Sequence, residues 1–313
     1  MAKEIRGSDV TANGSDVQAR VMLVFLCLIW GFTWPIMKIA LEQIPPLSMR
    51  ASSAGIGALT LFLICRAQGR SFYIPSARAW GHVVVASILN VACFSVFSAF
   101  AQNAAATSRV AILTYTMPIW AVLFGWLVLG ERPMRVQGFA IALCVAGLAI
   151  LIRPLATAGI PLGVVLAVAT GLTWAAGTVY LKWARIAADP MGVASWQLTV
   201  AFVIIALALL MVEGHPHLGG AHTNAILAVL FTGVAGNAIA YGLWFAIVRR
   251  LSAVAASLGI LGIPVIGVLA SVLILGERPT ASDIVGFALI FAATVCVLLF
   301  PQAPMRDAGH AAS

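Results

Sequence analysis

Pro118-Ile-Trp-Ala-Val-Leu-Phe-Gly-Trp-Leu-Val-Leu-Gly-Glu-Arg-Pro133 returns later in the chain as Pro264-Val-Ile-Gly-Val-Leu-Ala-Ser-Val-Leu-Ile-Leu-Gly-Glu-Arg-Pro279. Nine of the sixteen positions are identical, and most of the others exchange one apolar residue for another. Each copy reads as an apolar helix with a proline near its entry. Each ends in Leu-Gly-Glu-Arg-Pro, where glycine suits the left-handed residue that closes a helix and the following proline cannot continue it. The copies stand 146 residues apart in a chain of 313. The chain therefore reads as one unit written twice.

Working outward, the duplication extends through most of the sequence. Gly31-Phe-Thr-Trp34 answers Gly171-Leu-Thr-Trp174, and Arg50 answers Gln197. Asn90, Phe94 and Phe97 answer Asn237, Tyr241 and Trp244, each 147 residues apart. Gly138-Phe-Ala140 answers Gly286-Phe-Ala288 after a two-residue insertion.

Hydrophobic residues make up 62% of the chain and charged residues only 9%, against roughly 25% charged in soluble domains. The sparse charges leave ten uncharged intervals, most of them near or above the roughly 20 apolar residues that cross a bilayer. The expected fold is an all-α polytopic membrane protein of ten transmembrane helices. These lie near residues 21–41, 46–65, 80–101, 107–129, 136–153, 160–181, 190–212, 223–248, 252–275 and 282–301. Five helices per half is an odd number, so Glu131 and Glu277 fall on opposite faces and the halves are inverted repeats. Residues 1–20 and 302–313 are expected as short disordered cytoplasmic tails. The first five-helix repeat spans 21–153 and the second 154–301.

The net charge of +8 follows topology rather than nucleic acid. With a cytoplasmic N-terminus, thirteen of the eighteen lysines and arginines fall on the inner side, and Lys38, Arg50, Arg109, Arg153 and Arg278 fall at outer span ends. That bias obeys the positive-inside rule. No cleavage site follows the first apolar run, which reads as an uncleaved anchor. The five cysteines lie inside spans without metal-ligand spacing and read as packing residues. In the sixth helix Gly163, Ala167, Gly171 and Ala175 form a stripe that lets a neighbour approach closely.

Two five-helix halves, each closing its fourth helix with Leu-Gly-Glu-Arg-Pro, resemble the EamA family of the drug/metabolite transporter superfamily over about residues 21–300. The resemblance implies a plasma-membrane carrier of small metabolites, often an exporter of amino acids. The aromatic content points to the branch that exports aromatic and other large neutral amino acids. The implied partners are a small-molecule substrate and the lipid bilayer, with no nucleic acid, no cofactor and no metal. The sequence says nothing of oligomeric state.

A carrier's site belongs near the midplane where the repeats meet. Asn90 and Asn237 offer amides suited to amino or carboxylate groups, or they serve as interhelical glue. Phe94 and Phe97 on one helix, and Tyr241 and Trp244 on its mate, share a face with the asparagines by their spacing. Their rings either stack on substrate or pack against neighbours. Trp34 and Trp174 recur with a preceding threonine and complete the aromatic set. Pro118 and Pro264 free the carbonyls of Thr114 and Ile260, making a hinge or a fixed kink, with Gly259, Gly262 and Gly267 adding pliancy around the second. Tyr115 lies beside the first break.

The acidic residues Glu42, Glu131, Asp189, Glu213, Glu277 and Asp283 fall at span ends or in loops. Transport is therefore expected to run down a gradient or with the membrane potential, without a carboxylate proton relay. His82 reads as a helix-end histidine with a partner. Arg109 reads as an arginine reaching for lipid headgroups, with a carboxylate clamp at the outer mouth as the alternative. The competing functions are a carrier of other amphipathic solutes or drugs and an intramembrane enzyme. The second has little support, because no His-Glu-x-x-His, Gly-x-Ser-x-Gly or membrane aspartate pair occurs.

Overall fold

A computed structural model describes residues 5–131, 134–153, 161–248 and 262–299, and these are helical with short connections. In chain order the helices are α1 (Ile5–Leu41), α2 (Pro46–Ala67), α3 (Ala77–Ala104), α4 (Thr107–Leu129) and α5 (Arg135–Ile152). The second set is α6 (Leu162–Ala184), α7 (Pro190–Val212), α8, α9 (Gly262–Leu275) and α10 (Ala281–Leu299). Helix α8 is built from three consecutive pieces, Thr223–Phe231, Thr232–Ile239 and Ala240–Val248. Eight of these helices are long and apolar enough to cross a bilayer, and the described parts of α9 and α10 are shorter apolar helices.

The chain's punctuation explains the ends. Pro46 and Pro190 open α2 and α7, where a missing N–H costs nothing. Gly130 and Gly276 adopt φ of 70° and 67°, the left-handed closure that the two Leu-Gly-Glu-Arg-Pro segments predict. Helix α1 is described from Ile5, and its membrane-crossing part runs Gln18–Leu41, close to the expected start near residue 21. A helix nucleated by a packed span propagates at the cost of fixing one residue per hydrogen bond, and no proline stands before Pro35 to stop it.

Packing repeats under exchange of each helix with the one five places later. Helix α1 packs on α9 as α6 packs on α4, and α1 packs on α8 as α6 packs on α3. Likewise α2 meets α8 as α7 meets α3, while α2–α7 and α5–α10 pair with their own mates. This pattern belongs to two inverted five-helix repeats. Large apolar side chains such as Leu127, Met211 and Leu273 are exposed on the outside of the bundle, where lipid replaces water as their solvent.

The small-residue stripe of α6 is buried along its length. A Cβ on Gly163 would come within 2.7 Å of Ala105, and one on Gly171 within 2.6 Å of the Thr114 carbonyl oxygen. In the other repeat, Gly31 of α1 bears in the same way on Ile263 and Ile266 of α9. These contacts bring α6 and α1 against the two proline-bearing helices.

Candidate functional site

The helices enclose a cavity of about 510 Å³, within the range typical of small-molecule sites. Let the near face be the one where α1 enters the bundle and the far face the one where it ends. Arg50 lies toward the far end of the cavity wall. The wall then passes through Trp34, Asn90, Phe94 and Tyr115 to Leu181, Ile186, Ala188 and Pro190 at the near-face link between α6 and α7.

Trp34, Asn90, Phe94, Tyr115, Trp174, Asn237, Tyr241 and Trp244 all border this one cavity. Phe94 and Trp174 face each other with centroids 5.5 Å apart, and Trp30 meets both Tyr241 and Trp244 at 6.4 Å. Trp30 also donates from Nε1 to the Gly236 carbonyl at 3.0 Å, tying α1 to α8.

Both asparagines sit where the helix widens. Ile88–Cys93 of α3 and Thr232–Ile239 of α8 are π-helical, a form that appears mostly as short insertions in α-helices, frequently at functional sites. Asn90 is 7% exposed, and its Oδ1 has no hydrogen-bond partner. Asn237 donates from Nδ2 to the Ser53 carbonyl at 3.2 Å, while a Cβ on Gly57 would lie 2.7 Å from its own Cβ. One expectation is corrected: Phe97 does not border the cavity. Ser95 borders it instead, whereas the repeat-mate Trp244, seven residues after Asn237, does line the wall.

Helix α4 is interrupted at Tyr115 and Thr116, between runs at Thr107–Thr114 and Met117–Leu129. Thr294 of α10 donates to the Tyr115 carbonyl at 3.1 Å, so the broken backbone is partly satisfied by another helix. Pro264 is buried in the first turn of the described part of α9. Gly259 and the Ile260 carbonyl lie outside the described residues.

At the far face one charged group departs from the sequence expectation. Arg109 does not reach for headgroups. Its Nε and Nη2 donate to Asp283 Oδ1 at 2.9 and 2.5 Å, because the first turn of α10 holds that carboxylate beside it. Glu277 caps a helix of the other repeat, accepting from Thr107 N at 2.5 Å and Ser108 N at 2.9 Å. Glu213 does the same for α2, accepting from Leu47 N, Ser48 N and Ser48 Oγ. At the near face Lys182 pairs with Glu131, and His82 Nδ1 lies 2.7 Å from the Tyr180 hydroxyl.

Sequence reasoning missed Trp30, Gln197 and above all Arg50. Arg50 was expected at a helix end, yet it is 6% exposed and lines the cavity. The signal was its place four residues after Pro46, a full turn inside the helix.

Comparisons with known proteins agree with this architecture. The profile of the EamA-like transporter family matches twice, at residues 19–153 and 161–299. The uncharacterized transporter YvbV of Bacillus subtilis is 27% identical over 283 residues, covering 89% of this chain and 90% of that protein. A protein of Salmonella typhimurium described as a probable amino-acid metabolite efflux pump is 25% identical over 283 residues, covering 87% and 91%. Among solved structures, one crystal structure matches with a TM-score of 0.63 at 22% identity over 90% of this chain and 96% of that one, a likeness of fold. Matched once in each five-helix half, the chain belongs to the EamA-like transporter family and is a multi-pass membrane transporter.

Proposed function

We propose that this transporter exports or exchanges small neutral metabolites, foremost aromatic or large neutral amino acids, by alternating access across a bacterial inner membrane. Both termini lie in the cytoplasm in this reading, so the near face is cytoplasmic and the cavity wall reaches the side that loads an exporter. One observation carries the substrate class: the cavity combines aromatic rings with amides, and no Asp or Glu is among its described lining residues. Rings supply apolar area for a side chain, and amides serve both ends of a zwitterion. An organic cation would be left without a counter-ion. The amino-acid efflux description of the Salmonella relative points the same way.

Because acidic residues sit at helix ends, transport runs without a carboxylate proton relay in the membrane. The test is uptake into proteoliposomes over the amino acids, with and without unlabelled substrate inside. A carrier accelerates labelled uptake under counterflow, and Trp34→Ala, Asn90→Ala, Asn237→Ala and Tyr241→Ala lower rate or alter selectivity. Normal rate and selectivity in all four variants would remove these residues from the site.

A further inference from the structure

Arg50 stands one turn inside α2 and borders the cavity toward its far end. Its guanidinium carries five N–H donors. Among the described residues it makes one hydrogen bond, from Nη2 to Ser98 Oγ at 2.5 Å, and Nε is buried without a partner. No carboxylate among the described residues is paired with it. The ion pairs among the described residues join Arg70 to Asp189, Arg109 to Asp283 and Lys182 to Glu131. Glu213, at the same end of the bundle, holds the backbone of Leu47 and Ser48.

An unpaired charge inside a membrane is costly and persists where it meets a cavity or a partner. Packing alone does not call for the charge. Gln197, its repeat-mate, is equally buried, borders the same cavity and is neutral. Four buried side-chain polar atoms among the described residues lack a partner, and two belong to cavity-lining residues: Arg50 Nε, a donor, and Asn90 Oδ1, an acceptor.

We propose that Arg50 is the carboxylate-recognising group of the substrate site. A ligand carboxylate pairs with the guanidinium toward the far end of the cavity, the charge-assisted contact for which arginine is suited. The apolar part of the ligand then lies among Trp30, Phe94, Trp174 and Tyr241. The inference rests on the reading of this cavity as the substrate site, and it narrows the substrate to solutes that bear a carboxylate.

The test uses purified full-length protein and quenching of its tryptophan fluorescence by four ligands of one size: L-phenylalanine, 3-phenylpropionate, L-phenylalaninamide and phenethylamine. The two carboxylates are expected to bind at least about tenfold more tightly than the two ligands without one, the scale of a charge-assisted hydrogen bond. In Arg50→Gln that difference disappears, and Arg50→Lys keeps part of it. Equal binding of phenylalanine and its amide by the unmodified protein overturns the proposal, whether or not any variant folds. So does failure of both carboxylates to bind. Binding of 3-phenylpropionate but not phenylalanine, abolished in Arg50→Gln, keeps Arg50 in this role and rejects the amino-acid reading.

Discussion

Asn90 of α3 lies against Gly177 of α6 so closely that a methyl group at position 177 would stand 1.9 Å from Asn90 Oδ1 and 3.0 Å from its backbone nitrogen. The contact ties the π-helical turn of one repeat to the first helix of the other. Gly177→Ala is expected to destabilise the protein by about 1–3 kcal/mol, as overpacking of a filled interior does. The Asn90→Ala/Gly177→Ala double variant should recover thermal stability in detergent but not transport. Recovery of both would make Asn90 a packing residue and nothing more.

At the far face carboxylates cap helices across the repeat boundary. Glu277 accepts two backbone N–H groups at the start of α4, and loss of such a cap costs about 0.5–2 kcal/mol. Ser108 beside it is buried. In a background lacking the native cysteines, Ser108→Cys should react slowly with a polar maleimide. Adding Glu277→Ala should raise that rate severalfold as the far face opens more often. An unchanged rate means that the cap stabilises α4 without sealing the face.

Arg109 and Asp283 join α4 to α10 at the same face, with side chains 19% and 8% exposed. Thr280 N and Oγ1 hold the other carboxylate oxygen at 3.0 and 2.8 Å. Each of Arg109→Gln and Asp283→Asn should lower thermal stability. A double-mutant cycle should return a coupling of about 1–2 kcal/mol, in the range for a partly buried charged hydrogen bond. A coupling near zero would place Arg109 back among headgroup-seeking arginines.

Some of these features were legible in the sequence because local chemistry decides them. Proline and glycine are governed by their own backbone, so the starts of α2 and α7 and the closures at Gly130 and Gly276 can be read directly. Matched positions such as Asn90 and Asn237, or Trp34 and Trp174, fall on one cavity because repeat-mates packed about a two-fold axis line a shared interior. What could not be read depends on other helices. Nothing local marks the π turns at Ile88–Cys93 and Thr232–Ile239, and nothing local tells that Trp244 reaches the cavity while its repeat-mate Phe97 does not. The carboxylates of Glu213 and Glu277 find amides 165 or more residues away, a pairing that only the assembled bundle creates. Arg50 looked like a helix-end charge, since no counting of charges tells which side of a helix meets a cavity.

The break in α4 supplies the last prediction. Tyr115 N reaches back to Ala111 O at 3.3 Å and Ile112 O at 3.1 Å, and Thr116 N bonds to Leu113 O at 3.2 Å. The backbone therefore tightens just before Pro118. In Pro118→Ala the new N–H would seek the Thr114 carbonyl and draw the helix straight through Tyr115 and Thr116. Tyr115 would then turn from the cavity, and its carbonyl would leave Thr294. A continuous helix is at least as stable as an interrupted one, so thermal stability should hold or rise while the maximal transport rate falls about tenfold or more. Substrate affinity should change less than rate, because the bend serves the motion between two states rather than the contact in one. A normal rate in a stable Pro118→Ala protein would make the bend a fixed feature of the cavity wall and move the hinge elsewhere.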